Sequence, residues 1–191
     1  MTALRVVVMG PSGSGKTAVG AALAVDLAVE FVDADDLHPA ANITKMAAGQ
    51  PLDDADRAPW LDAVGRVLAG LPGGGVVACS ALKRRYRDRI LAEAPGAVFV
   101  ELTVDRAELT RRMSAREHFM PPALLDSQIA ALEPLEADEP GFAIPNVGRV
   151  LEIAAGIAQR LAGHDHPNAP IDPSTTITPP APPVPPEGAR A

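Results

Sequence analysis

Eight residues near the amino end have the types and the spacing of a phosphate-binding loop. The segment Gly10-Pro11-Ser12-Gly13-Ser14-Gly15-Lys16-Thr17 matches the pattern G-x-x-x-x-G-K-[ST]. Glycines at these positions let the loop wind tightly, so that successive backbone N–H groups point inward at the β-phosphate of a nucleotide. Lys16 would bring a positive charge to the β- and γ-phosphate oxygens, and the Thr17 hydroxyl can hold Mg²⁺. The loop therefore predicts binding of a nucleoside triphosphate.

Carboxylates stand at the end of the second predicted strand, where an acceptor for a phosphoryl group would bind. In open α/β sheets, ligands bind beyond the carboxyl ends of the strands, and the segment Asp33–Pro39 (DADDLHP) lies at such an end. A carboxylate there can accept the proton of a hydroxyl nucleophile or orient it, and Asp35 is the candidate. The alternative is that these aspartates only cap the helix that begins near Asn42.

Two further segments carry charges suited to a polar, anionic acceptor. Asp54 and Arg57 precede Trp60 at the start of a predicted helix, and helix capping accounts for their pattern equally well. Lys83 and Arg87 follow the third predicted strand at a spacing of i, i+4. They would share a helical face and could clamp a carboxylate or a phosphate, with a solvated basic face as the alternative.

Cations also mark the joint between two later helices. Arg112, Arg116 and His118 lie there, just before a pair of prolines. On a loop that closes over the substrates, such groups would neutralise charge that develops during transfer and would exclude water. We therefore expect a lid near residues 112–122.

Alternating strand and helix patterns predict the elements that must position these residues. The predicted strands are Leu4–Met9, Glu30–Asp33, Gly75–Cys79, Ala97–Thr103 and Phe142–Ile144. The predicted helices are Lys16–Ala28, Asn42–Ala48, one through Trp60–Leu71, Leu82–Glu93, one capped by Asp105 with Glu108 in a capping box, Pro122–Leu132 and Val147–Leu161. Right-handed crossovers between parallel strands then give a three-layer α/β fold, a five-stranded parallel sheet with helices on both faces.

Composition excludes several classes of protein. The 191 residues carry a formal net charge of −7, which argues against a nucleic-acid binder because such proteins need a basic surface over the phosphates. The single cysteine, Cys79, rules out internal disulfides and is expected to be buried, as is Trp60. The longest uncharged apolar run, Val67–Leu82, is too short and too broken to span a membrane. A cytoplasmic protein is expected.

The chain divides into a folded domain, residues 1–163, and a proline-rich tail, residues 164–191. Nine of the 20 prolines lie between Pro167 and Pro186, in a segment with few large apolar residues. Such a segment cannot bury enough surface to offset the entropy of ordering it, so a disordered tail is predicted. A docking site for a proline-recognising partner is the alternative.

Together these segments resemble one family, the gluconokinases of the small P-loop type, which are relatives of shikimate and nucleoside monophosphate kinases. The matching strings are GPSGSGKT, DDLHPAANITKMAAGQPLDDADRAPWL, CSALKRRYRD and HFMPPALLDSQIAALEP. The resemblance implies a P-loop kinase fold, use of ATP and Mg²⁺, transfer of the γ-phosphate to the C6 hydroxyl of D-gluconate, and commonly a homodimer. Two alternatives stay open: a kinase for another hydroxy acid such as shikimate, and a nucleotide-binding interaction protein with vestigial activity.

The resemblance also implies roles for the matching residues. Those expected to bind the acceptor are Asp35, His38, Asp54, Arg57, Lys83, Arg87 and His118, and those expected to act in catalysis are Lys16, Asp35 and Arg116. Arg112 is expected to bind the nucleotide together with the loop. Two departures from the family pattern are Ala34 in place of a glycine and Glu117 standing alone between Arg116 and His118.

Overall fold

The computed structural model describes residues 3–114 and 122–163. The strands in these ranges are β1 Leu4–Met9, β2 Glu30–Asp33, β3 Gly74–Ala78, β4 Ala97–Thr103 and β5 Gly141–Pro145. The helices are α1 Lys16–Asp26, α2 Ala40–Ala47, α3 Asp54–Gly70, α4 Arg84–Glu93, α5 Arg106–Ser114, α6 Pro122–Ala131 and α7 Val150–Ala162, with a 3₁₀ turn at Ala34–Leu37.

Across the described residues the strands form one parallel sheet in the order β2-β3-β1-β4-β5. The register brings the carboxyl ends of the first three strands together, because Ala78 of β3 pairs with both Val8 of β1 and Asp33 of β2. The segments that follow these strands therefore meet at one edge of the sheet. The predicted five-stranded parallel sheet is confirmed.

Two hydrophobic cores cover the two faces of the sheet. Val6 and Val8 of β1 pack with residues of α1 and α7 on one face, whereas Val7 and Met9 pack with α3 and α4 on the other. All four side chains are fully buried, which accounts for the continuous apolar run of this strand. The predicted three-layer arrangement follows directly from this alternation.

Several helix ends differ from the prediction because the backbone leaves the right-handed region there. Helix α4 begins at Arg84 rather than Leu82, since Ala81 has φ +39° and Lys83 is extended. Helix α7 begins at Val150 rather than Val147, after Gly148 with φ +115°. Helix α1 ends two residues early, before Ala28 with φ +53°.

The capping box lies on a different helix from the one predicted. The carboxylate of Glu108 accepts hydrogen bonds from Arg111 and Arg112 instead of closing the start of α5. A reciprocal box forms at α3, where Asp53 and Asp56 each accept from the other's backbone N–H at 2.9 and 2.8 Å. Capping thus accounts for part of the acidic segment before Trp60.

Arg87 lies inside the protein, which corrects its predicted role in acceptor binding. Its guanidinium is fully buried and pairs with the equally buried Glu139 at 2.5 and 2.7 Å. It also donates to the carbonyls of Ala81, Glu133 and Pro134. Burial alone would raise the pKa of Glu139, but the hydrogen bond from Arg87 brings that pKa below its usual range. Arg87 fastens the segment before β5 to α4, and the predicted clamp with Lys83 is not formed.

Some predicted features lie outside the described residues. These are Arg116 and His118 of the lid and the proline-rich segment 164–191.

Trp60 and Cys79 are both buried, as expected, and burial raises the pKa of the Cys79 thiol to about 12. Within the described ranges, no helix has the length and apolar character needed to cross a membrane.

Replacing Arg87 by methionine should destabilise the protein strongly. The substitution leaves the Glu139 carboxylate buried without its cation, and breaking a buried pair in this way costs about 3–5 kcal/mol. Urea unfolding measures the loss. Arg89→Met on the same helix is the matched control, because Arg89 pairs with Asp62 at the surface and should change the free energy of unfolding by about 1 kcal/mol or less. Equal losses of unfolding free energy in the two variants would contradict the structural role assigned to the buried pair of Arg87 and Glu139.

Candidate active site

The phosphate-binding loop has the backbone conformation that its glycines permit. It leaves β1 at Gly10 and enters α1 at Gly15, with φ +140° at the first and +90° at the second. Gly15 is the N-cap of α1 in the left-handed conformation, and no side chain caps that helix end. The backbone N–H groups of the first turn are therefore available to an anion, which the positive end of the helix dipole also favours. The loop is built to hold a phosphate.

The side chains of Lys16 and Thr17 leave this loop in different directions. The Lys16 ammonium donates to the Pro11 carbonyl at 3.1 Å, across the mouth of the loop. The Thr17 hydroxyl donates to an Asp33 carboxylate oxygen at 2.8 Å. A hydroxyl and a carboxylate side by side are the hard oxygen ligands that Mg²⁺ takes, alongside phosphates and waters. The residues therefore fit the predicted metal at Thr17 and add Asp33 to it.

Asp35 lies beside the phosphate-binding loop. Its backbone N–H donates to Asp33 at 3.1 Å, which fixes the 3₁₀ turn at the end of β2. Partial burial and the Asp33 carboxylate raise the pKa of Asp35, while the charges of Lys16 and His38 act in the opposite direction. The balance raises its pKa above the ordinary 3.8. The candidate base and the loop lysine are thus electrostatic neighbours, as their positions after parallel strands predict.

His38 follows this turn and is held by an aromatic stack. Its imidazole lies against the Trp60 indole with 4.2 Å between ring centroids and 13° between planes. Trp60 is itself fixed, because its indole N–H donates to the buried Ala34 carbonyl at 2.7 Å. Burial lowers the pKa of His38, with the nearby Arg57 acting in the same direction and Asp35 against it. Trp60 is therefore a core residue that also shapes the site.

Three cations surround the ring of Tyr86, next to the acceptor segment. Lys83 is 5.4 Å from the ring centroid, and Arg57 and Arg85 are each 5.7 Å from it. Such distances allow cation–π attraction, which helps to hold like charges close together. Tyr86 is buried. The structure thus brings Arg57 and Lys83 together as predicted, around a tyrosine that the sequence reasoning did not single out.

Asp54 is engaged with the protein itself. Its carboxylate accepts a hydrogen bond from Tyr86 and pairs with Lys83 at 3.5 Å and with Arg85. The hydrogen bond from Tyr86, and then the charges of Lys83 and Arg85, hold its pKa below the usual range. Asp54 therefore orders Lys83 and Arg85 beside Tyr86, and its predicted contact with the acceptor stays a prediction.

A cavity of about 320 Å³ opens beside the loop. Its lining residues are Val104, Asp105, Glu108, Arg111, Arg112, Asn146, Val147 and Gly148. Arg112, predicted to bind the nucleotide, is positioned there by Glu108 at 2.7 Å and by the Asn146 carbonyl at 3.1 Å. The cavity is therefore a candidate for the base and sugar of a nucleotide.

Two distant amide side chains brace the loop. The buried Asn146 donates through Nδ2 to the Ser14 carbonyl, and Gln128 accepts from the Ser12 N–H at 2.7 Å. The Ser14 hydroxyl is buried without a hydrogen-bond partner among the described residues. Asn146 and Gln128 are 132 and 116 residues away from their partners, and no local pattern in the sequence could have pointed to either.

Comparison with known proteins identifies the family. A family model described as AAA domain matches residues 6–135. The chain is similar to the gluconokinase of Gluconobacter oxydans (strain 621H), with 49% identity over 140 residues that cover 70% of this chain and 78% of the relative. It is also similar to the thermosensitive gluconokinase of Escherichia coli (strain K12), with 46% identity over 137 residues that cover 70% and 73% of the two chains. The chain belongs to the gluconokinase family.

Solved structures agree with this membership. A gluconokinase from Sinorhizobium meliloti 1021 matches with a TM-score of 0.75 and 41% identity, covering 86% of this chain and 98% of the other. A shikimate kinase from Acinetobacter baumannii matches with a TM-score of 0.55 at 17% identity, covering 85% of this chain and 94% of the other. The second likeness concerns the fold alone. The predicted P-loop kinase fold and the family resemblance are both confirmed.

Replacing Gly15 by alanine should greatly weaken nucleotide binding. A Cβ at this position would lie 2.5 Å from Asn146 Nδ2, and the residue has φ +90°, so both the space and the backbone disfavour a side chain. Calorimetric titration with ATP should show affinity reduced by at least about a hundredfold, or about 3 kcal/mol. Gly70→Ala is the control, because a Cβ there meets nothing within 4 Å. Unchanged ATP affinity in the Gly15 variant would show that residues 10–17 do not bind the phosphates of the nucleotide.

Proposed function

We propose that this protein transfers the γ-phosphate of ATP to the C6 hydroxyl of D-gluconate and releases ADP and 6-phospho-D-gluconate. Membership of the gluconokinase family supports the reaction. The observation that carries the proposal is the meeting of a phosphate-binding loop with Asp35 at one edge of the sheet, beside cations that suit a carboxylate. A phosphate donor, a base and an anchor for an acid are the three parts such a kinase requires.

The nucleotide is proposed to lie along the loop from residue 10 to residue 17. The N–H groups at the start of α1 would bind the β-phosphate, and Lys16 would leave the Pro11 carbonyl for the oxygens of the transferred phosphate. Thr17 and Asp33 would hold Mg²⁺, which supplies charge neutralisation at the β- and γ-phosphates. The base and ribose would occupy the cavity beside Arg112.

Asp35 is proposed to activate the acceptor hydroxyl. Its carboxylate would take the hydroxyl proton as the oxygen bonds to the γ-phosphorus and the bond from that phosphorus to the ADP oxygen breaks. The raised pKa of Asp35 makes its carboxylate a better proton acceptor. Arg116 would stabilise charge on the transferred phosphate, and His118 would contact the acceptor.

The far end of the acceptor is proposed to bind the cations around Tyr86. A sugar acid that extends from Asp35 would place its carboxylate near Arg57 and Lys83. The Tyr86 ring attracts both cations, and Asp54 pairs with Lys83. The guanidinium and the ammonium together form charge-assisted hydrogen bonds with a carboxylate. A neutral sugar would form no charge-assisted hydrogen bond between carboxylate and cation here, so the acid is favoured over the corresponding aldose.

The remaining expectations concern the setting of the enzyme. We propose that it acts in the cytoplasm as a single kinase domain, residues 1–163, to which the proline-rich segment 164–191 adds no catalytic group. The homodimer that the resemblance implies stays a prediction, and sedimentation velocity on the full chain measures it. D-gluconate is the proposed small-molecule partner.

ADP release with Mg-ATP tests the proposal when gluconate, shikimate and no acceptor are compared. Gluconate alone should support turnover. Asp35→Asn should lower kcat by at least about a hundredfold with ATP affinity retained, because the general base is worth about that factor. Asp36→Asn, an exposed neighbour in the same turn, is the matched control and should retain activity. Turnover only with shikimate, or nucleotide binding with no turnover, would overturn the proposal.

The pH profile tests Asp35 separately. Because a base must be deprotonated, activity should fall as the pH drops through the raised pKa of Asp35, which lies above 3.8. The residual activity of Asp35→Asn should lack this acidic limb, since an amide does not titrate. An identical acidic limb in wild type and variant would show that another group controls it.

A further inference from the structure

The orientation of the His38 imidazole is determined on one side by its stack with Trp60. The two planes lie 13° apart at 4.2 Å, and the indole is buried and tied to the Ala34 carbonyl. Stacking fixes the plane of the imidazole. It leaves open which ring nitrogen carries the proton, because both tautomers share this plane.

A buried amide settles that question. Asn42, only 4% exposed, donates from Nδ2 to the Asp56 carbonyl at 2.9 Å, and the same nitrogen lies 3.4 Å from His38 Nδ1. A carbonyl can only accept, so the atom facing both partners is the amide nitrogen. An N–H donor that faces Nδ1 requires this nitrogen to be unprotonated, and the ring proton of neutral His38 then resides on Nε2.

Burial favours the neutral form of His38. Burial lowers its pKa, and Arg57 of α3 acts in the same direction, whereas Asp35 of the 3₁₀ turn acts against them. From α2 it faces the uncharged Asn42. A neutral His38 matters to its neighbour, because an imidazolium would pair with the Asp35 carboxylate and weaken it as a proton acceptor.

We propose that Asn42 and Trp60 are positioning residues that hold His38 as the neutral Nε2–H tautomer. Nε2 is the ring nitrogen that does not face Asn42, so His38 offers one hydrogen-bond donor in the neighbourhood of Asp35, with which it interacts electrostatically. A donor and an acceptor side by side match neighbouring hydroxyl groups of a polyol, each of which both donates and accepts. This role in the acceptor site rests on the proposed function, whereas the tautomer itself does not.

Nitrogen-15 NMR of the full chain without substrates tests the tautomer. Long-range ¹H–¹⁵N correlations distinguish protonated from unprotonated ring nitrogens, and the spectrum of His38→Gln identifies the His38 signals among the four histidines. At neutral pH we expect an unprotonated Nδ1 and a protonated Nε2. A proton on Nδ1, or an imidazolium, would overturn the proposal, whatever the enzyme phosphorylates.

Asn42→Asp tests the positioning. A carboxylate accepts instead of donating, so it should move the proton of His38 to Nδ1 and raise the pKa of His38 by about one unit. The KM for gluconate should rise on the order of tenfold, with the KM for ATP within about twofold. Gln50→Glu makes the same chemical change at an exposed position after α2 and should alter none of these values.

The same readouts separate positioning from a merely structural role. A structural role would lower the melting temperature of Asn42→Asp while leaving the tautomer and pKa of His38 unchanged, and that result would refute the proposal. If Asn42→Asp does not fold, Asn42→Ala replaces it: without the donor, both tautomers should become populated. Retention of the pure Nε2–H form in Asn42→Ala would also refute it. Failure of gluconate turnover in wild type refutes the proposed function and leaves the NMR result standing.

Discussion

The site depends on the register of three parallel strands. Because β1, β2 and β3 end at one edge of the sheet, the loop after the first strand and the turn after the second face each other. The hydrogen bond from Thr17 to Asp33 at 2.8 Å joins these two segments. A shift of β1 by one residue in this register would exchange its two faces and separate the phosphate-binding loop from Asp35. The buried valines of β1, which need both faces covered, make such a slip costly.

Charge organises the rest of the site in two zones. Near the loop, the carboxylates of Asp33 and Asp35 stand beside Lys16, where a phosphate and a metal would meet. Around Tyr86, three cations lie against one ring, and two of them, Lys83 and Arg85, pair with the Asp54 carboxylate. The first zone suits reacting oxygens and the second suits a distant anion. His38, stacked on Trp60, directly follows the 3₁₀ turn that carries Asp35.

Much of this arrangement could be predicted from the sequence because the signals are local. The bounds of β1, β2 and β4 agree with the prediction, since each strand is a short apolar run that is continuous in the chain. Asp35 and Lys83 follow the neighbouring strands β2 and β3, and residues that follow parallel strands converge at one sheet edge. These inferences needed only spacing and residue type.

What the sequence reasoning missed depends on contacts between distant segments. Arg87 is buried because it pairs with Glu139, which lies 52 residues away in the chain. The residues next to Arg87 in the sequence give no indication of this burial. Asn146 and Gln128 reach the loop from still farther along the chain. Helix α4 starts later than predicted because Ala81 has a positive φ. The residue type alanine does not predict this conformation.

The central claim is that a sugar acid lies between Asp35 and the cations around Tyr86 with its terminal alcohol toward the loop. A crystal structure of the protein with gluconate, Mg²⁺ and a non-hydrolysable ATP analogue measures this directly. The account predicts the C6 oxygen within about 3 Å of the Asp35 carboxylate, with the gluconate carboxylate contacting Arg57 or Lys83. Gluconate bound in the opposite direction, with its carboxylate at Asp35, or bound outside this cleft, would contradict it.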